Sequence, residues 1–297
     1  DIIEKNEPGY NSLDSLSNSG IVLARSKVIA DLIQKIKNNN AKQEYYLTDI
    51  VKIAAESGLS STYVQCEEDE CLGINSQLEL SVAERKFQDD FRKKLMASGV
   101  SMASPETCFF SYDTKIKSGC VIEPNVVFGT GVEIQSSTII RSYSYIEGTH
   151  VGKHCQIGPF ARLRPGTQLL NEVKVGNFVE VKNSTLAADT KANHLSYIGD
   201  AKVGTNTNIG AGTIFCNYDG KNKHPTVVGD NVFVGSNASL IAPLKIGDAS
   251  IVAAGSVISR DAPSESLAIA RPLQQNKIGL GKKIMLKFQK AAYKIKR

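Results

Sequence analysis

The second half of this chain places an aliphatic residue at every sixth position. The longest unbroken run has six members: Val228, Val234, Leu240, Ile246, Val252 and Ile258. Neither an α-helix, with a period of 3.6 residues, nor a simple strand, with a period of two, produces a period of six. Hexads are typical of a parallel β-helix, in which three hexads form one triangular coil around an aliphatic interior. We therefore predict that most of the chain folds as a β-helix.

Earlier runs keep the same period, so the hexads extend from about Phe110 to about Ile258. Their members are Ile116, Ile122, Phe128, Ile134, Ile140 and Ile146; Val151, Ile157 and Leu163; Val175 and Val181; and Val203 and Ile209. Two stretches, 186–197 and 215–227, interrupt the period. We predict that both leave the coil as loops, because insertions in a solenoid often shape its binding face.

The residues before the hexads have the pattern of a layered α/β fragment. We predict strands at 21–23 and 62–66, a helix over 27–36 capped by Ser26, and a second helix from a Thr48 cap to Ala55. The fragment is too short to close a doubly wound sheet by itself.

The sequence S-V-A-E at 81–84 is a capping box, and it predicts a connecting helix that ends near Ala97. An amphipathic pattern over 282–295 predicts a last helix. The predicted organisation has four parts: an incomplete α/β domain (1–80), a connecting helix and linker (81–108), a β-helix (109–271) and a basic tail (272–297).

Composition places the chain among soluble globular proteins, with 41% apolar and 22% charged residues. It contains no run of 18 apolar residues and no signal-peptide pattern at its start, so we expect no membrane span and a cytoplasmic location. The six cysteines have no CxxC spacing, and we expect reduced thiols. The chain does not begin with Met, and we expect a fragment or a processed product.

Positive charge is concentrated at the end of the chain. From Arg271 to Arg297 there are nine Lys or Arg and no Asp or Glu, whereas the net charge of the whole chain is only +5. A basic tail on an acidic body predicts a phosphate-bearing ligand or a partner surface. No nucleic-acid-binding motif is recognisable, so we expect no nucleic-acid partner.

A few polar residues within the hexads could carry chemistry. A neutral imidazole at His194 could take a proton from an attacking amine, although a histidine with only local hydrogen bonds is the simpler interpretation. Arg162, Arg164 and Lys182 could converge from neighbouring coils on a phosphate, or they could be solvated surface charges.

Five longer segments resemble a known family. They are GPFARLRPGT (158–167), VGNFVEVKNS (175–184), HLSYIGDA (194–201), NIGAGTIFCNYDG (208–220) and VFVGSNASLIAP (232–243). The family is the bifunctional bacterial N-acetylglucosamine-1-phosphate uridyltransferase/glucosamine-1-phosphate acetyltransferase. Upstream, NNNAKQEYYLTDI (38–50) and LGINSQLELS (72–81) resemble the second half of its uridyltransferase domain.

The resemblance implies a left-handed β-helix that forms homotrimers, with an acetyltransferase site at each subunit interface. The implied reaction transfers the acetyl group of acetyl-CoA to the amine of glucosamine 1-phosphate. The product, N-acetylglucosamine 1-phosphate, serves UDP-N-acetylglucosamine synthesis. The amine attacks the thioester directly, so no acyl-enzyme is expected.

The resemblance also implies a role for each matching residue. His194 would be the general base. The sugar phosphate would bind Arg164, Lys182, Tyr197 and Lys223, and the sugar would bind Asn208. The cofactor acetyl-CoA would bind Ala211, Asn217, Tyr218, Ser236, Ala254 and Arg271.

The uridyltransferase half of the family has only a partial counterpart here. Its glycine-rich nucleotide loop and its magnesium-binding Asp are not found in the sequence. Glu4 and Asn18 resemble substrate contacts, and Asn75 resembles a ligand of Mg²⁺. One Asn without carboxylates is a poor magnesium site, so we expect uridyl transfer in the parent protein and not in this chain.

Three other functions remain open from the residues alone. One is a different hexapeptide-repeat sugar or lipid acyltransferase, and another is a non-catalytic trimeric scaffold. The third is a hexapeptide carbonic anhydrase, which needs three histidines on a metal; His150 and His154 are the closest pair.

Overall fold

The structure is a computed structural model, and it describes residues 2, 16–40 and 42–295. Among these, the side chains at 68–69 and 289–295 are not described. The chain divides into two compact units, Asp1–Phe87 and Gln88–Arg297. Each unit is described by itself.

The second unit is built from 27 short strands. They are β1 (Ser101–Met102), β2 (Phe109–Phe110), β3 (Lys115–Ile116), β4 (Val121–Ile122), β5 (Val127–Phe128), β6 (Glu133–Ile134), β7 (Ile139–Ile140), β8 (Tyr145–Ile146), β9 (Thr149–Val151), β10 (Gln156–Ile157), β11 (Arg162–Leu163), β12 (Thr167–Leu169), β13 (Lys174–Asn177), β14 (Glu180–Lys182), β15 (Thr185–Leu186), β16 (Lys191–His194), β17 (Tyr197–Gly199), β18 (Ala201–Val203), β19 (Asn208–Ile209), β20 (Ile214–Cys216), β21 (Thr226–Val228), β22 (Phe233–Val234), β23 (Ser239–Ile241), β24 (Leu244–Ile246), β25 (Ile251–Val252), β26 (Val257–Ile258) and β27 (Leu267–Ala268).

Every third strand joins the same parallel sheet, so three sheets run side by side along the unit. The first sheet begins β1-β4-β7 and ends at β27, the second begins β2-β5-β8 and ends at β26, and the third runs from β3 to β24. The hexad residues are buried inside, and several, such as Ile140 and Leu240, have no exposed surface. This arrangement confirms the predicted parallel β-helix of hexads.

The predicted loop at 186–197 is wrong, because β15, β16 and the start of β17 occupy that stretch. The interior position between Leu186 and Ile198 is filled by Ala192, which is fully buried. Leu186 also follows Val181 by five positions instead of six. The repeat therefore continues, with a small residue and a shifted phase that a search for large aliphatic residues at sixth positions misses.

The second predicted loop is present but shorter than 215–227. Strands β20 and β21 occupy its two ends, and residues 217–225 leave the coil. The insertion lengthens one coil, since Asn208 pairs with Phe233, 25 positions later, whereas Phe233 pairs with Ile251, 18 positions later.

Two helices of the first unit pack against each other. They are α1 (Ser26–Ile33) and α2 (Asp49–Glu56), and they share a small core of Leu32, Ile50 and Ala54. Arg25 precedes α1 as its N-cap, so Ser26 is the first helical residue and not the predicted cap. Thr48 occupies the predicted N-cap position of α2, but its side chain makes no capping hydrogen bond.

The strands predicted at 21–23 and 62–66 are wrong. Neither segment pairs with another segment within the described part of the chain. A β-branched pattern predicts an extended backbone, whereas a strand also requires a neighbour to accept its hydrogen bonds.

The connecting helix α3 (Gln77–Ala97) begins four residues before the capping box predicted at 81–84. Its first turn uses an upstream S-x-x-E sequence, in which the Glu79 N–H donates to Ser76 Oγ (3.2 Å) and the Asn75 N–H donates to Glu79 Oε2 (2.6 Å). Ser81 lies inside the helix and donates to the Leu78 carbonyl (2.7 Å). A capping box does start this helix, but it is the box at 76–79 and not the predicted box at 81–84.

The last turns of α3 cover the first coil of the β-helix. Gln88 donates to the carbonyl of Phe110 (2.7 Å) and accepts from its N–H (3.0 Å). Arg92 Nε donates to the carbonyl of Cys108 (3.1 Å), and Phe91 stacks on Phe110 with ring centroids 5.5 Å apart. The open end of the coil stack is thereby paired and buried.

The chain ends in a fourth helix, α4 (Leu280–Ile295), which agrees with the helix predicted at 282–295. Among the described residues, no helix combines the length and the apolar character needed to cross a membrane.

Candidate active site

His194 is the last residue of β16, at the corner between the first and second sheets. Its side chain is exposed, and Nδ1 lies 2.7 Å from Asn177 Oδ1 on the preceding coil. An amide oxygen only accepts hydrogen bonds, so this contact assigns the ring proton to Nδ1. The Nε2 lone pair of a neutral ring is then left to accept a proton.

On the next coils, small residues occupy the positions that align with His194. The Gly212 N–H donates to the His194 carbonyl (3.4 Å), the Asn237 N–H to the Ala211 carbonyl (2.7 Å), and the Gly255 N–H to the Ser236 carbonyl (2.8 Å). The corner therefore presents Ala211, Ser236 and Ala254 in line beyond His194. We call these three residues the small-residue lane.

Arg271 flanks the far end of the small-residue lane. A methyl group placed on Gly255, next to Ala254, would lie 4.0 Å from Arg271 Cδ. The structure thus brings four of the predicted cofactor residues to one edge of the β-helix.

Two lysines converge at the next corner, between the second and third sheets. Lys182 is the last residue of β14 and pairs with Gly199, and Lys223 reaches it from the loop at 217–225. The Lys182 side chain, through a hydrogen bond and its like charge, lowers the pKa of Lys223. Two cations held this close favour an anion between or beside them.

Arg164 lies one coil before Lys182 and donates from Nη1 to Glu180 Oε1 (2.7 Å). This ion pair is about one-third exposed on both sides. Arg164 is therefore oriented by Glu180 in the absence of a ligand, and its other guanidinium N–H groups remain for a planar anion.

Amide and carboxylate side chains form a hydrogen-bond network beside the two lysines. Asp200 accepts from Asn183 Nδ2 (2.6 Å) and from Asn217 Nδ2. Burial opposes ionisation of Asp200, but these hydrogen bonds and the charges of Lys182 and Lys223 outweigh it and lower its pKa. Asn217 is buried and also lies 3.5 Å from Tyr197 Oη, so two predicted site residues, Asn217 and Tyr197, share this network.

The loop at 217–225 is a hairpin organised around Asp219. This carboxylate accepts from the Lys221 N–H (2.8 Å), the Asn222 N–H (2.6 Å) and His224 Nε2 (2.7 Å). These hydrogen bonds, that of Asn222 first, hold the pKa of Asp219 well below its ordinary value. An antiparallel bridge between Tyr218 and Lys223 closes the hairpin and places both predicted residues at the corner.

Asn208 is less closely associated with these groups. It lies in β19, where it pairs with Lys191 and Phe233 in the first sheet, on the coil that also carries Ala211.

The predicted uridyltransferase residues are not assembled into a site. Asn18 and Asn75 are exposed, and Glu4 lies outside the described residues. The backbone of Asn75 takes part in the capping of α3. No group of three His, Cys, Asp or Glu side chains in the described parts of the chain could hold a metal ion. The residues that the structure describes therefore do not fit a Mg²⁺ site.

Asn177 and Asp200 contact predicted site residues, and the sequence analysis did not name either of them. Both stand inside the quoted segments, VGNFVEVKNS and HLSYIGDA. Asn177 precedes His194 by one 17-residue coil. Counting by coil length from His194 would have found it.

Two concavities on the third sheet, of about 310 and 530 Å³, hold none of the predicted residues. The corner around His194 is instead an open surface of the single chain.

Comparison with known proteins agrees with this geometry. Residues 225–260 match the family profile described as bacterial transferase hexapeptide (six repeats). The bifunctional protein GlmU of Bartonella quintana (strain Toulouse) is 50% identical over 274 residues, which are 92% of this chain and 61% of that protein. Bifunctional protein GlmU of Wolbachia pipientis wMel is 50% identical over 277 residues, or 93% of this chain and 64% of that protein.

A solved structure of LpxA, a UDP-N-acetylglucosamine acyltransferase from Bacteroides fragilis 9343, is similar at 19% identity. It has a TM-score of 0.39 and covers 61% of this chain and 78% of that one.

The chain spans about 60% of the length of the curated relatives it matches. Half of the aligned residues are identical across nine tenths of the chain, which confirms the resemblance predicted from the five segments. Over the part of their length that it covers, this chain belongs to the family of bifunctional GlmU proteins.

Proposed function

We propose that this chain transfers the acetyl group of acetyl-CoA to the amine of glucosamine 1-phosphate, giving N-acetylglucosamine 1-phosphate and free CoA. One observation carries the proposal. His194, with its proton held on Nδ1 by Asn177, begins the small-residue lane at one end of the second sheet's strands, and the cations Lys182 and Lys223 lie at the other end of those strands. A base that shares one face with a space for an acyl donor and a site for a phosphate suits this reaction.

In the proposed reaction, the neutral amine of the sugar attacks the thioester carbon while His194 Nε2 accepts the amine proton. The carbon–sulfur bond then breaks, and the CoA thiolate leaves with its electron pair. Binding both substrates on one face of the β-helix would supply the orientation that a bimolecular reaction otherwise lacks. A backbone N–H near Ala211 is our candidate for stabilising the oxyanion.

The sugar phosphate would bind Lys182 and Lys223, with Arg164 and Tyr197 beside them. Two ammonium groups that repel each other in the free chain gain most when a dianion joins them. The Asp200 network supports this arrangement, because it fixes Asn217 and Tyr197 next to the lysines. Asn208 would contact the sugar from the neighbouring strand.

Acetyl-CoA would extend along the small-residue lane. Side chains no larger than Ser leave room for its pantetheine arm, and Arg271 at the end of the lane would meet a phosphate of the cofactor. Tyr218 is exposed on the hairpin and would contact the same arm.

We further propose that the active assembly is a homotrimer. Tyr143, Phe160 and Phe178 stack along the corner that leads to His194, with centroids 4.9 and 5.2 Å apart, and Leu195 continues the column. All four side chains are about half exposed. An apolar ridge beside an open catalytic corner is suited to burial against another subunit, which would also close the site. Light scattering that finds a monomer at micromolar concentration would contradict this assembly.

The whole protein from which this chain derives would also carry out uridyl transfer, with UTP and N-acetylglucosamine 1-phosphate as substrates and Mg²⁺ as the metal. Its location would be the cytoplasm. The support is the printed name of the relatives, bifunctional protein, and the resemblance of residues 38–50 and 72–81.

Release of the CoA thiol from acetyl-CoA tests the acetyltransferase proposal. We expect release that depends on glucosamine 1-phosphate and is lost in His194→Ala. Another acyltransferase of this fold would prefer a different acceptor, and a scaffold would release no thiol. Either outcome would reject the proposed reaction.

A further inference from the structure

Two of the six cysteines lie in contact with each other in the first unit. Cys66 Sγ and Cys71 Sγ are 3.2 Å apart. Cys66 is exposed and Cys71 is partly exposed, whereas Cys108, Cys120 and Cys155 are buried in the β-helix. A disulfide joins sulfur atoms about 2.05 Å apart, so the two thiols would need to approach by only about 1 Å.

The backbone around this thiol pair allows that approach. Glu68–Cys71 form a single 3₁₀ turn, and the Glu70 N–H donates to the Glu67 carbonyl (3.0 Å). The turn folds Cys71 back toward Cys66, which lies in a segment without regular secondary structure. Within the described residues this segment belongs to no strand, so a small shift breaks no sheet hydrogen bond.

The surroundings of Cys66 favour its protonated thiol over its thiolate. The hydrogen bond with Cys71, partial burial, and the negative charges of Glu70 and Glu67 raise the pKa of Cys66. The thiolate is the reactive form in thiol–disulfide exchange. Oxidation of the pair is therefore slow at neutral pH and accelerates as the pH rises.

We propose that Cys66 and Cys71 form a reversible intramolecular disulfide by exchange with a small-molecule disulfide such as oxidised glutathione. The exposed Cys66 thiolate attacks the glutathione disulfide, forms a mixed disulfide and releases one glutathione thiolate. The Cys71 thiolate then attacks the sulfur of Cys66 and releases the second glutathione. Two protein thiols are oxidised to one disulfide, and one glutathione disulfide is reduced to two glutathione molecules.

The disulfide would fix the segment that leads into α3. Cys71 lies five residues before the cap residue Ser76, and the bond would hold the chain at that distance from the start of the helix. The candidate active site is formed by residues of the β-helix, so acetyl transfer is expected not to depend on this bond. The proposal is therefore independent of the proposed function.

The test uses the whole chain, incubated with oxidised glutathione, followed by peptide mass mapping and thiol counting after denaturation. We expect a peptide pair joined between Cys66 and Cys71, with the loss of two free thiols and full reversal by excess reduced glutathione. The rate should increase with pH between neutral and mildly alkaline buffer.

Single variants supply the matched controls. In Cys66→Ser and in Cys71→Ser the remaining thiol has no partner for the second step, so each variant should retain bound glutathione that the unmodified chain loses. Cys216→Ser removes another partly exposed thiol and should leave the formation of the 66–71 bond unchanged. If the unmodified chain keeps both thiols free, or accumulates stable mixed disulfides as the single variants do, the proposal is wrong.

Discussion

The first coils of the β-helix and the coils around His194 bury the same kind of core but differ in length. In the first coils the pairing step is 18 residues, from Phe109 to Val127 and from Val127 to Tyr145. Around the site, the step is 17 residues from Glu180 to Tyr197 and from Tyr197 to Ile214, and it is 25 residues from Ile214 to Ser239.

The burial of the interior residues is the same in both regions. Ile140 in an early coil and Ile198 in a site coil are both fully buried. What changes is the exterior: the shortened coils bring Lys182 and Asp200 to one tight corner, and the lengthened coil supplies Lys223 on a hairpin. In this molecule the repeat provides the scaffold, and the candidate site residues Lys182, Asp200 and Lys223 lie on coils whose length departs from 18 residues.

The largest effect should come from the base itself. We expect His194→Ala to lower the rate of acetyl transfer by roughly 10²–10⁴-fold, the usual contribution of a general base, with little change in melting temperature because the side chain is exposed. The matched control is His154→Ala, at a different corner of an earlier coil. A variant at His194 that keeps normal turnover would show that this histidine only makes local hydrogen bonds.

Core substitutions test whether the two regions are equivalent in stability. Ile140→Ala and Ile198→Ala should each lower the free energy of unfolding by about 2–5 kcal/mol, because each leaves a cavity in a closely packed interior. Denaturant unfolding monitored by circular dichroism measures both. A consistently smaller loss at Ile198 would mean that the shortened coils are less tightly packed, contrary to the comparison above.

The next effect concerns the cations of the site coils. Arg164→Ala and Lys182→Ala should weaken glucosamine 1-phosphate binding by about 1.5–3 kcal/mol, roughly 10- to 150-fold, with a smaller effect on acetyl-CoA. Lys115→Ala is the control, since this lysine is paired with Glu133 in an early coil. Equal weakening of both substrates in calorimetric titrations would reassign Arg164 and Lys182.

Binding of the sugar phosphate should weaken at a lower alkaline pH than it would if the pKa of Lys223 were that of an ordinary lysine. Lys182 lowers the pKa of Lys223, so the charge of Lys223 is lost as the pH rises through a value below its usual 10.5. In Lys182→Met this influence disappears, and the Lys223 ammonium should titrate at higher pH in NMR spectra of labelled lysines. An unchanged titration would mean that the two side chains do not interact in solution.

The smallest effect should come from the basic tail. Deleting 277–297 while keeping Arg271 should raise the Michaelis constant for acetyl-CoA a few-fold, because exposed cations near the three phosphate groups of the cofactor contribute modestly and are screened by salt. Kinetics at low and high salt measure the effect. Unchanged acetyl-CoA kinetics at low salt would assign the tail another role.

Much of the β-helix could be predicted because its interior obeys one rule, an aliphatic residue at every sixth position. The prediction failed around Ala192. Leu186 follows Val181 by only five positions, and the next interior residue, Ala192, is small. Such a shift is visible only when the pairing of successive coils is known. The same applies to Asn177, whose contact with His194 depends on coil length and not on any local motif.

The start of α3 shows a different reason for error. Two S-x-x-E sequences, at 76–79 and 81–84, lie within nine residues of each other, and each satisfies the capping pattern. The upstream box caps the helix because residues 77–80, Q-L-E-L, are themselves good helix formers. The capping pattern thus predicts two possible starts for α3, and the helix propensity of residues 77–80 selects the upstream one.

The cover that α3 places over the first coil also governs how these molecules can associate. A stack of parallel strands offers, at its open end, the same unpaired backbone groups that its own next coil would use, and any other strand could add there. Gln88 and Arg92 occupy the groups of Phe110 and Cys108 that an incoming strand would need. Addition of another strand to the second sheet is therefore blocked at this terminus, which favours association through the sides of the β-helix, where closed oligomers can form instead of fibres.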